Sequence, residues 1–141
     1  MPRSVGAGLI ALFLAACSSS TAPKLSVEGR STIVSQSPLT VHAVVTVRNT
    51  GSQTTNINVT GCPLWLEVFT TPERSGTPVW RSGSETQACI AMAKLMALAP
   101  GDYYDFNVNA TIPSLPQGRY YLAVWGANGA NHVPVGQLDN F

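Results

Sequence analysis

Residues 39–49 alternate strictly. Val41, Ala43, Val45 and Val47 fall on one face of an extended chain, and His42, Val44, Thr46 and Arg48 fall on the other. Period two with β-branched residues predicts a half-buried strand. Residues 103–112 alternate more cleanly still, with Tyr104, Phe106, Val108, Ala110 and Ile112 set against Tyr103, Asp105, Asn107, Asn109 and Thr111. Asn49-Thr50-Gly51-Ser52 reads as a turn, residues 53–60 as a second strand, and residues 64–70 as a third with Leu64, Leu66 and Val68 on one side. Residues 72–78 are a polar loop and residues 79–81 a short strand. Residues 94–98 form another strand before the Pro100-Gly101 turn, and residues 120–125 and 133–138 complete the set. Only residues 87–96 admit a helix, in competition with a loop containing Cys89. Seven or eight short strands at intervals of about 8–12 residues predict an all-β antiparallel sandwich. Tyr104, Phe106, Val108, Tyr120, Leu122 and Val124 are its expected inward positions.

Leu115-Pro116-Gln117-Gly118-Arg119-Tyr120 places a glycine and then a tyrosine at the entrance to a strand. That arrangement matches the tyrosine corner of immunoglobulin-like sandwiches, in which the phenol hydroxyl bonds back to the backbone a few residues upstream. The expected fold is therefore an immunoglobulin-like antiparallel β-sandwich of seven to eight strands, one domain over residues 25–141.

The N-terminal segment obeys a different logic. Arg3 is followed by an uncharged apolar run to Ala16. The run is far shorter than the roughly 20 residues that span a bilayer, so it reads as a signal-peptide core. It ends in Leu14-Ala15-Ala16-Cys17, small residues before a cysteine, as in a bacterial lipoprotein lipobox. Residues 1–16 are then the signal peptide and Cys17 the lipidated residue, with a flexible tether over residues 17–24 rich in serine and threonine. Two or three acyl chains, at about 0.8 kcal/mol per buried CH₂, hold a protein on a membrane where one chain does not. Ser18 after the cysteine points to the outer membrane, with the domain in the periplasm. An ordinary secretory signal carrying a chance cysteine is the alternative.

With Cys17 committed to lipid, Cys62 and Cys89 remain as a pair in an oxidising compartment. A disulfide between them would contribute about 3 kcal/mol in the loop-entropy account. Metal binding is the competing reading, but the chain has no CxxC spacing, and His42 and His132 lie far from both cysteines in sequence.

Charge excludes some partners. Lys and Arg number 8 against 7 Asp and Glu, and loss of Arg3 with the signal brings the two into balance. No basic stripe suits nucleic acid, and no polybasic segment suits anionic headgroups. Charged residues make up 11% of the chain, well below the roughly 25% of an average soluble domain.

Catalytic patterns are scarce too. GxSxG, the P-loop and HExxH do not occur. His42 falls on the polar face of its strand and His132 in a turn, both as surface histidines. Asp102 and Asp105 sit three apart on a strand and so on opposite faces. No enzyme activity, cofactor or metal is expected. Asn58-Val59-Thr60 and Asn109-Ala110-Thr111 match the glycosylation sequon, which a bacterial lipoprotein normally leaves unmodified. Trp65, Trp80 and Trp125 are read as packing residues, with a sugar- or peptide-binding face as the alternative.

The ordered set Val47-x-Asn49, Leu66-x-Val68, Val79-Trp80-Arg81-Ser82, Leu98-x-Pro100-Gly101 and Gly118-x-Tyr120-x-Leu122 resembles the BsuPI family, named for a bacterial intracellular proteinase inhibitor. The resemblance spans roughly residues 39–138. It implies an immunoglobulin-like sandwich and a role in binding a protease or another protein. Export with lipidation and the Cys62–Cys89 pair depart from the family's pattern. An inhibitory loop must be extended and rigid, and residues 70–77 are the best candidate, with Pro72, Glu73, Arg74 and Ser75 at the centre. Arg74 is expected to face water, available to a trypsin-like pocket, and residues 82–88 are the next candidate loop. A non-inhibitory structural or assembly lipoprotein is the second functional class.

Overall fold

The computed structural model describes residues 23–59, 64–83, 94–127 and 132–140. Cys17, Cys62 and Cys89 lie outside them, as does most of the segment with a helical alternative. The described residues form nine strands: β1 (Leu25–Gln36), β2 (Leu39–Asn49), β3 (Thr55–Asn58), β4 (Trp65–Phe69), β5 (Trp80–Arg81), β6 (Leu95–Leu98), β7 (Tyr103–Thr111), β8 (Gly118–Trp125) and β9 (Val133–Asn140). One sheet has the order β1-β2-β7 and the other β5-β4-β8-β9, all antiparallel, with a two-stranded β3-β6 ribbon beside them. Two antiparallel sheets packed on a shared core give an all-β, sandwich-like fold.

The core forms where the two inner faces meet. Val41, Val45 and Val47 from β2 and Phe106 and Val108 from β7 join Leu66, Val68, Leu122 and Val124 in one buried cluster. The tyrosine corner is present, since Tyr120 Oη donates to the Pro116 carbonyl at 2.8 Å. Asn49 is fully buried at the end of β2, where its Nδ2 donates to the carbonyls of Gln53 and Leu98 and ties the ribbon to the sheet.

Strand β1 exceeds the sequence expectation. Its inward positions, opposite Val47, Val45, Ala43 and Val41, are Val27, Gly29, Ser31 and Ile33. The two small residues mark where β9 crosses from the other sheet. A Cβ on Gly29 would lie 2.1 Å from the Pro134 carbonyl oxygen, and Ser31 Oγ donates to Val135 O at 2.9 Å. The register of β8 with β9 shifts between Leu122 and Ala123, and Leu138 stays buried beyond that bulge.

Phe106 is 7% exposed in the centre of this core. Phe106→Ala should destabilise the domain by about 3–5 kcal/mol through the cavity it leaves. A urea unfolding curve that moves by less than 1 kcal/mol, on the order of a minor surface change, would contradict this packing.

Candidate functional site

All five residues of β4 are buried, so this strand is covered on both faces. Leu66 and Val68 point into the core. Trp65, Glu67 and Phe69 point outward, opposite Trp125, Ala123 and Tyr121 of β8. Arg81 of β5 stands opposite Glu67 on the other side.

Glu67 has no exposed surface and must be paired. Arg81 Nη2 donates to its Oε1 at 2.8 Å, and His132 Nδ1 meets its Oε2 at 2.6 Å. Both partners are themselves positioned by aromatic rings. The Arg81 guanidinium lies 5.2 Å from the Trp65 ring centre, and His132 packs edge-on against Phe69 at 5.4 Å. His132 takes a positive φ of 53°, a costly conformation for a residue with a side chain. Trp65 stacks on Trp125 at 4.6 Å with the planes 14° apart. Gly83 closes over that stack, where a Cβ would come within 2.1 Å of Trp65 Nε1. The result is a layer of rings around one neutralised carboxylate.

The loop singled out from sequence lies farther along the same face. Pro72, Glu73 and Ser75 are exposed, but Arg74 is half-buried, which corrects the expectation that it faces water. Arg74 Nε donates to Leu122 O at 2.9 Å, Nη2 to Gly136 O at 3.0 Å and Nη1 to Pro72 O at 2.8 Å. Its guanidinium also lies 5.5 Å from the Tyr121 ring centre. The physical reason is the β8–β9 bulge beside Leu122, where a planar five-donor group can reach a carbonyl on each strand. Arg74 pins the loop to the sheet.

The remaining predicted residues divide clearly. His42 lies on the polar outer face of the other sheet and bonds Asn107 Oδ1 at 3.1 Å. His132, read from sequence as a surface histidine, instead joins Glu67. Trp80 packs partly against the core. A groove of about 630 Å³ opens between Pro38 and Leu115, at the end of the sandwich away from the tryptophan stack. Its one charged lining residue, Asp139, is bonded to Arg119 at 2.7 Å. Among the described residues no three His, Cys, Asp or Glu side chains are grouped to hold a metal.

No family model matches the chain, and neither a curated protein nor a solved structure does.

Two measurements test this geometry. Arg81→Met should cost about 3–5 kcal/mol by stranding the Glu67 charge, and adding Glu67→Leu should recover most of it. A double-mutant cycle with no coupling would mean that the pair is energetically idle. Arg74→Ala should cost about 1–3 kcal/mol from lost charge-assisted bonds. Glu73→Ala should change stability by less than about 0.5 kcal/mol. Overlapping melting curves for Arg74→Ala and wild type would refute the clamp.

Proposed function

We propose that the chain is an envelope-anchored lipoprotein whose β-sandwich binds another protein through the loop of residues 72–78. The observation that supports this reading is the Arg74 clamp. A loop held by bonds to three carbonyls keeps its shape before contact, so little conformational entropy remains to be lost on association. Pro72, Glu73 and Ser75 are left exposed as the contact residues. Anchoring rests on the lipobox and the Ser/Thr tether, with Cys17 carrying the lipid, the outer membrane as the destination and the domain in the periplasm.

A proteinase is the partner that the BsuPI resemblance implies. Arg74 is engaged with its own fold, so a trypsin-like pocket would not be filled by that side chain. An inhibitory contact would run through the neighbouring residues. The alternative is an accessory lipoprotein that assembles with envelope components and inhibits nothing. Glu67, with both oxygens engaged by Arg81 and His132, suits a structural role better than acid–base chemistry.

The two parts are tested together in the full chain. Cys17→Ser should abolish palmitate incorporation; equal labelling of variant and wild type would remove the anchor. Glu73→Lys should abolish capture of the envelope partner retained by wild type, with the melting temperature unchanged. Capture that survives Glu73→Lys would move the contact off this loop. A panel of trypsin-like and subtilisin-like enzymes then separates inhibitor from accessory module.

A further inference from the structure

An unpaired strand edge offers its N–H and C=O groups to any extended segment, and folded proteins ordinarily blunt such edges. Three of the four edges of the two main sheets are blunted here. β1 is crossed by β9 at Gly29 and Ser31, β9 carries the bulge, and β5 is two residues long. The fourth edge, β7, is treated differently. It runs nine residues without bulge or proline, and among the described residues its one ladder partner is β2.

The ladder's parity shows what this edge presents. Ile112 N donates to Leu39 O at 2.8 Å and Asn49 N to Asp102 O at 2.9 Å, at the two ends of a single register. Bonded pairs alternate in an antiparallel ladder, so Tyr104, Phe106, Val108 and Ala110 bond to β2. Tyr103, Asp105, Asn107, Asn109 and Thr111 therefore aim their backbone groups outward. Asn107 Nδ2 donates to Asp105 O at 3.2 Å while its Oδ1 meets His42 Nε2, so this side chain must turn aside to free that carbonyl for a pairing strand.

We propose that β7 is a self-association edge, pairing antiparallel with β7 of a second copy about a two-fold axis at Asn107. The sequence of the edge is complementary to itself in that register. Tyr103 stands opposite Thr111, Asp105 opposite Asn109, and Asn107 opposite its own copy. On the inner face Tyr104 meets Ala110 and Phe106 meets Val108, extending the apolar layer. Registers shifted by four residues in either direction are worse. Centring on Asp105 sets two carboxylates directly opposite, and centring on Asn109 brings Pro113, which has no N–H, against Asp105. The inference goes beyond the proposed binding loop and depends on neither the lipid nor the partner.

Position 109 provides the test, read as the dimer dissociation constant of the full chain in detergent by sedimentation. Asn109→Lys faces Asp105 of the copy and should tighten the dimer, whereas Asn109→Asp should weaken it. Two symmetry-related pairs make each change about 2- to 30-fold. Asn107→Pro should abolish pairing while sparing the β2 ladder, because the N–H at 107 points outward. Melting curves confirm that the variants fold. A wild-type chain that stays monomeric at all concentrations, a dimer indifferent to the charge at 109, or capture of a different protein along this edge by a monomeric chain would each overturn the proposal.

Discussion

A carboxylate with no exposed surface governs the outer half of this molecule. Glu67 lies in a strand buried on both faces, where an unpaired charge would cost several kcal/mol. Arg81 and His132 must therefore come to it, and each brings its own constraints. Arg81 needs the Trp65 ring beneath it, and His132 needs a backbone turn at positive φ to enter β9. Gly83 must be small to close on the tryptophan stack. One buried acid fixes the relative positions of β4, β5, β8 and the start of β9.

Neutralisation also explains what covers the outer face. The two arginines lay long apolar stems and flat guanidinium groups over Trp65 and Tyr121, as amphipathic side chains do when they shield a surface and keep their charged ends bonded. Arg81 ends on a side-chain carboxylate, whereas Arg74 ends on backbone carbonyls released at a bulge. The same residue type thus secures a charge in one place and a loop in the other.

The inner half of the fold was legible in the sequence, because alternation with period two states directly which residues meet in the core. β2, β7 and β8 appear where the pattern places them, and Tyr120 makes the bond that its position after Gly118 implies. β1 escaped because Gly29 and Ser31 interrupt its apolar phase, for a reason residing in β9 more than a hundred residues away. Glu67 did leave a signal, a single acid inside Leu-Trp-Leu-Glu-Val-Phe, but not the identity of its partners. Arg74 left none. A bulge that turns carbonyls toward an arginine is a property of strand register, and register is not written locally.

The proposed pairing through β7 and the proposed anchor at Cys17 would constrain each other geometrically. The two-fold axis of an antiparallel edge pair stands perpendicular to the sheet, and it carries the N-terminal end of one copy to the far end of the other. β7 spans about 30 Å at 3.4 Å per residue. A symmetric dimer with both anchors in one bilayer must have its axis along the membrane normal, so its strands lie parallel to the membrane. One outer sheet face then looks toward the lipid and the other away. The two faces differ in kind. The β1-β2-β7 face carries Thr46, Asn107 and Asn109, while the β5-β4-β8-β9 face carries Trp125, Tyr121 and the arginine-pinned loop. Tryptophan and tyrosine favour the headgroup region, which would turn the second face toward the bilayer. A protein-binding loop favours the opposite orientation, because it must reach a partner. The fold thus sets the Arg74-pinned loop and the aromatic layer on one surface, and the proposed dimer, lying flat on a membrane, would offer that surface to lipid or to protein, but not to both.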